Sequence, residues 1–209
     1  MLALAFRFFI SGAMAIGIAA WLGQSFRLNR VQLRSTLVFG LCQNGLYLGL
    51  FFVAMQTIEA SLAAIIASTM PLIVAFASWA FFKERLPKLG VLGLIAGFAG
   101  TAMIMGTRLS AGVDPFGVAL CIIGVTALSV ATLSVKSASS GGNLLMVVGY
   151  QMWAGGTALL IAGLMLEAWQ VNGSWTLIAA FAYTTIVPGL LATWIWFSLV
   201  GRIGATRAA

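Results

Sequence analysis

Seven stretches of this chain stay apolar for long enough to cross a lipid bilayer as helices: about residues 2 to 22, 35 to 57, 60 to 82, 89 to 107, 116 to 136, 144 to 166 and 175 to 200. Hydrocarbon offers no water to satisfy backbone N–H and C=O groups, so runs of this length must be helical. The sequence therefore predicts an all-α integral membrane protein with seven transmembrane helices. Composition agrees, because 62% of the 209 residues are hydrophobic and 7% are charged, more apolar surface than one soluble core could hide. The four acidic residues, Glu59, Glu84, Asp114 and Glu167, flank the runs, and histidine is absent. Connectors such as "KERLPK" (83–88), "RLSAGVDP" (108–115) and "SASSGG" (137–142) are too short for a soluble domain. The first run has no basic segment ahead of it and leads into a basic loop, so it reads as a span and not as a cleaved leader.

Charge orients the spans. If seven helices alternate, Arg27, Arg30, Arg34, Lys83, Arg85, Lys88, Lys136, Arg202 and Arg207 fall on one side, and Arg7 and Arg108 on the other. The basic side is normally cytoplasmic, which places the N-terminus outside and the C-terminus inside, with Arg7 close enough to the end of its span to snorkel toward water. The net charge of +7 is thus loop charge meeting anionic membrane lipid, and no nucleic-acid partner is expected. Cys42 and Cys121 lie inside apolar runs and are expected to be packing residues, with neither a disulfide framework nor a metal site.

The chain carries an internal echo. "FVAMQTIEASLAA" (52–64) and "FSLVGRIGATRAA" (197–209) coincide at five of thirteen positions at a shift of 145, and "RFFISG" (7–12) lies over "QMWAGG" (151–156) at a shift of 144. The offset relates span one to span six and span two to span seven. It contains five spans, and an odd number of crossings reverses one copy relative to the other, so the copies are expected to be inverted repeats. Residues 1–136 then hold helices two to five of the first repeat plus the first helix of the second, and 137–209 hold helices two and three of the second. The expectation is seven helices of a ten-helix, five-plus-five bundle, in a chain lacking the first helix and the last two.

"GLFFVAMQTIEASLAAIIASTMPLIVAFASWAFFKERLPKLGVLGLIAGFAGTAMIM" (49–105) and "WFSLVGRIGATRAA" (196–209) resemble the repeat motifs of EamA-type members of the drug/metabolite transporter superfamily. That resemblance implies a multi-pass carrier of the bacterial inner membrane that exports small metabolites or drugs, such as an amino acid or a nucleoside, through a central cavity by alternating access. It implies no cofactor and does not specify oligomeric state. One position departs from the family: Thr193 stands where the second repeat often has Tyr, although Tyr47 is present in the first repeat.

Polar groups within spans mark the candidate path. Asn44, Tyr47 and Phe51 recur at helical spacing with Gln43 beside them, a face that either lines a solute path or forms an interhelical hydrogen-bond seam. In "ASTMP", Pro71 has no N–H for the Ala67 carbonyl, and Ser68 and Thr69 are placed to compensate. Span seven repeats the device with Pro188, which leaves the Thr184 carbonyl open, followed by Thr193 and Trp194. Gly90, Gly93, Gly97 and Gly100 in span four, and Gly149, Gly155, Gly156 and Gly163 in span six, read as surfaces for close helix contact. Thr126, Ser129, Thr132 and Ser134 either bond within their own helix or face the cavity. Trp21, Trp79, Trp169 and Trp175 are expected at the membrane interfaces, and Glu84 with Arg85 is expected to fix a turn. With no histidine and no mid-span carboxylate, the chain lacks a general base, an activated nucleophile and metal ligands, so it is not read as an enzyme. The remaining alternative to a carrier is a channel-like or structural membrane protein.

Overall fold

The computed structural model describes residues 1–82, 87–110, 112–139, 143–167 and 174–203, and every regular element among them is helical. Seven helical spans are long and apolar enough to cross a membrane. Span one is α1 (Leu2–Trp21). Span two is α2 (Arg30–Phe39), a π-helical stretch (Gly40–Tyr47) and α3 (Leu48–Ala54). Span three is broken into α4 (Ala60–Ala67) and α5 (Met70–Phe82). Spans four, five and six are α6 (Lys88–Ser110), α7 (Pro115–Ser139) and α8 (Leu144–Leu166). Span seven is α9 (Trp175–Thr184), a second π-helical stretch (Thr185–Ala192) and α10 (Thr193–Ile203).

Local chemistry sets the boundaries. α1 stops where Gly23 takes φ +72°, and the Gly23 and Gln24 N–H groups return to the Ala20 and Ala19 carbonyls at 3.0 and 2.9 Å, a Schellman ending. Span two begins five residues before its apolar run because the Asn29 side chain accepts from Gln32 N–H at 2.7 Å and caps a polar first turn. Asp114 opens α7 in the same way, accepting from Phe116 and Gly117 N–H at 3.1 and 3.2 Å ahead of Pro115.

Polar contacts gather the connectors at two opposite ends. At one end the Met1 ammonium and the Leu2 N–H meet the Glu167 carboxylate, and the Thr57 hydroxyl meets Asp114. At the other, Ser25 N–H donates to Asn143 Oδ1 at 3.2 Å, and Tyr150 Oη–H donates to the Phe26 carbonyl at 3.0 Å. Successive spans therefore alternate in direction, and the 23–26 connector lies at the opposite end from Glu167. The Glu84–Arg85 turn, Trp169 and the last residues of the echo fall outside the described residues.

Span six is the centre of the bundle, and its glycines are the reason. A Cβ on Gly149 would collide with Ile16, one on Gly155 would collide with the Asn44 Cβ, and one on Gly163 would lie 2.8 Å from Leu2. Helices approach this closely only where one side brings no side chain. Span four also carries a row of glycines, at a different spacing, and has a different fate. None of its described side chains is buried, and a Cβ added at Gly93 or Gly100 would have nothing within 4 Å; only Gly97 meets another helix, at Leu72. The close contact expected for that face is thus limited to one position. Trp21, Trp79 and Trp175 are exposed at span ends.

Candidate functional site

The two π-helical stretches lie at the same place in the echo. Gly40–Tyr47 and Thr185–Ala192 are separated by 145 residues at both ends, the shift that relates span two to span seven. A π-helix bonds i→i−5, a wider turn found mainly as a local defect in α-helices, often at functional sites. In span seven that register carries the backbone past Pro188, which has no N–H to give, and Thr193 Oγ1–H donates to the Pro188 carbonyl at 3.1 Å. In span two, which has no proline, Gly40 makes room: a Cβ there would collide with the Gln151 carbonyl oxygen.

Each π stretch seats against a span from the other end of the chain. Gly155 of α8 lies on Gly40 and Asn44, while Ser11 of α1 donates from Oγ to the Thr185 carbonyl at 2.9 Å and faces Gly189. Ser11 is 144 residues before Gly155, and Thr185 and Gly189 are 145 after Gly40 and Asn44, so the two contacts correspond. α1 and α8 also cross each other closely. Gly12 meets Trp153 and the Gly149 carbonyl, Gly156 meets Phe8 and the Ala5 carbonyl, and Trp153 Nε1–H donates to the Phe9 carbonyl at 3.2 Å.

Around this crossing the sequence candidates separate. Asn44 is 3% exposed and donates from Nδ2 to Gln151 Oε1 at 2.6 Å, with Gln151 itself 1% exposed. Of the two roles open to Asn44, this is the bond of an interhelical seam. Gln43 is half-buried, and the half-buried Tyr47 ring lies 4.5 Å from that of Phe51. Phe51 is buried against Gly124 of α7 in a core cluster with Ala54, Leu62 and Val125. In span three, Ser68 is exposed and Thr69 buried, and their hydroxyls donate at 2.7 Å to the Ile65 and Ile66 carbonyls, not to Ala67. The span breaks at those two residues, and each hydroxyl reaches back three residues, to a carbonyl ahead of Ala67. Thr184 donates to the Ala180 carbonyl at 2.8 Å, Pro188 is exposed, and Trp194 is 41% exposed on α10. Thr126, Ser129, Thr132 and Ser134 all donate to the carbonyl four residues back, at 2.8 to 2.9 Å.

The structure adds residues that the sequence pattern did not single out. Ser11, Gln151 and Trp153 make the polar contacts at the crossing. All three fall within the quoted echo segments, so the signal was present in the alignment of 7–12 with 151–156. A groove of about 560 Å³ beside the crossing is lined by Phe26, Arg27, Leu33, Tyr150, Trp153 and Thr157, away from the residues that the sequence proposed for a solute path. Arg7 is half-buried, its guanidinium carbon 4.8 Å from the Phe8 ring centroid and its Nε buried without a hydrogen-bond partner among the described residues. The expected release of that side chain to water is therefore incomplete.

Comparison with known proteins points one way. The model of the EamA-like transporter family matches residues 1–106. The chain is 26% identical over 189 residues to the "Uncharacterized transporter YvbV" of Bacillus subtilis (strain 168), an alignment covering 88% of this chain and 62% of the relative. It is 23% identical over 163 residues to "Protein PecM" of Dickeya dadantii (strain 3937), covering 77% of this chain and 54% of the relative. The chain thus spans less than two thirds of the length of either relative.

Proposed function

Because the chain belongs to the EamA-like transporter family, which is one of carriers and not of enzymes, we propose that it exports small metabolites or drugs across a bacterial inner membrane by alternating access. One observation supports this most: two π-helical interruptions stand 145 residues apart, each seated on a span from the other half of the chain. Interrupted helices in corresponding positions of two inverted halves are where transporters bind and rearrange. In this reading residues 1–136 belong to the first five-helix repeat and the start of the second, and 137–209 continue the second. The basic connectors and the chain's C-terminus face the cytoplasm.

The solute path runs along the π stretches. Gln43, Tyr47, Thr184, Pro188 and Trp194 border it, and Ser68, Thr69 and Pro71 supply the bend of the third span. Asn44 joins the path in the state in which its bond to Gln151 has opened, and Phe51 holds the aromatic Tyr47 in place. Pairs of this kind suit a carrier, since an interhelical amide bond in lipid is worth only about 1 kcal/mol and can be exchanged during turnover.

The test is flux in proteoliposomes containing the full-length carrier. Saturable efflux of a small metabolite that is competed by its analogues, and that falls in Asn44→Leu and Tyr47→Leu at matched protein abundance, is the expected result. Flux that rises linearly without saturation would replace the carrier with a channel, and unchanged export of every solute would remove both residues from the path.

A further inference from the structure

We infer that Arg7 is an oxyanion-binding residue, taking the carboxylate or phosphate group of a ligand at the seam between spans one and seven. The inference deepens the carrier reading and rests on it, because it names the chemical class of the solute.

Four observations converge on this side chain. Arg7 lies inside a membrane span, where an unneutralised guanidinium is costly and is kept for a purpose. Its Nε–H is buried and has no hydrogen-bond acceptor among the described residues, although a guanidinium carries five donors and no acceptor. The chain itself has no anion to offer at that depth: all four carboxylates lie outside the spans. Glu167 is held by the Met1 ammonium and Leu2 N–H, and Asp114 by Thr57 and two backbone N–H groups.

The fourth observation is the internal correspondence. Under the 144 shift Arg7 lies over Gln151, and under the 145 shift Gly189 lies over Asn44. Gln151 and Asn44 satisfy each other at 2.6 Å. The corresponding positions of the other half hold a long cationic side chain and a glycine, which has no side chain to accept from it. One half is closed by its own amides, and the other presents a donor where its partner group is missing. One turn farther along α1, Ser11 donates to the Thr185 carbonyl and, as a neutral hydroxyl, supplies no charge to offset the arginine. A planar guanidinium meets carboxylate and phosphate oxygens with paired hydrogen bonds, and burial strengthens such pairs.

The oxyanion can belong to a transported solute or to a lipid headgroup, and the experiment separates them. The full-length protein in a neutral detergent is followed by intrinsic tryptophan fluorescence during heating, at constant ionic strength, with sodium phosphate, sodium benzoate or sodium chloride, and separately with added phosphatidylglycerol. We expect phosphate or benzoate to raise the unfolding temperature saturably over chloride, with apparent affinity about tenfold or more weaker in Arg7→Gln. Arg7→Lys, which keeps the charge and loses the fork, retains part of the shift and guards against a variant that fails to fold. If phosphatidylglycerol alone produces the Arg7-dependent shift, the site is a lipid site and the solute assignment is overturned. The same shifts in wild type and both variants, or none at all, would overturn the inference entirely. Because this readout needs no flux, its failure leaves the carrier reading standing, and loss of flux with the shift intact would reject the carrier reading alone.

Discussion

Asn44 Nδ2 and Gln151 Oε1 lie 2.6 Å apart between spans two and six, both side chains almost wholly buried, and the same Nδ2 is 3.4 Å from the Gln151 backbone carbonyl. The bond sits within the π stretch of the second span, where Gly40 and Gly155 let the helices touch. It ties the polar face of span two to an amide 107 residues away in the chain.

Replacing one member of this pair strands the other in a dry interface. Asn44→Leu and Gln151→Leu should each lower stability in detergent by about 1 kcal/mol, and the double variant should cost less than the sum. A double-mutant cycle by thermal unfolding reads the coupling directly. Strict additivity would mean that the two amides stand apart in solution.

The glycines of spans six and four should behave oppositely. Gly155→Ala drives a methyl into Asn44 and the Gly40 carbonyl and should destabilise by about 1 to 3 kcal/mol. Gly93→Ala and Gly100→Ala enter open space and should stay within about 0.5 kcal/mol of wild type. Unfolding temperatures of the three variants decide it.

Pro188 is exposed, so its removal loses little packing while giving the backbone an N–H. Pro188→Ala should allow a regular α-register in span seven, raise the unfolding temperature and lower solute flux several-fold. A variant equally active and equally stable would mean that the π stretch has no part in turnover.

Asp114 lies outside the spans, and its carboxyl is held below the ordinary carboxylate range, first by the Thr57 hydroxyl and then by the Phe116 N–H. Partial desolvation opposes them, and the Gly117 N–H adds the least. A depressed carboxyl stabilises the fold above its unfolded value of about 3.9 and loses that contribution as pH falls through the lower folded value. The unfolding temperature of wild type should therefore exceed that of Asp114→Asn at neutral pH, and the gap should close only below about pH 3.9. Thr57→Val, which removes the largest cause of the depression, should narrow that gap at neutral pH.

If spans one and six are inverted copies of one another, as proposed, their flanking connectors lie across the membrane from one another. With Cys42 and Cys121 replaced, single cysteines at Ser25 and Ser174 should react with a membrane-impermeant maleimide from opposite sides. Labelling of both from one side would end the repeat assignment.

Much of this protein was legible one residue at a time. Hydropathy alone marked seven spans, because a helix in hydrocarbon satisfies its backbone within itself and needs no distant partner to be predicted. The echo supplied the offset at which the two π stretches stand, since residues that distort a helix, such as Gly40, Pro188 and Gly189, act on their own turn. Span two began earlier than its apolar run because a cap at Asn29, not hydropathy, sets a helix start. What a side chain meets across a helix interface was not legible. The glycine rows of spans four and six read alike, yet span six is packed on spans one and two while span four faces outward. Asn44 was equally fit to touch a solute or a neighbour until Gln151, 107 residues away, was placed beside it. Composition decides that a helix enters lipid, where lipid tails are as apolar as leucine; only the fit of one surface against another, a non-local property of the folded chain, decides which helices touch.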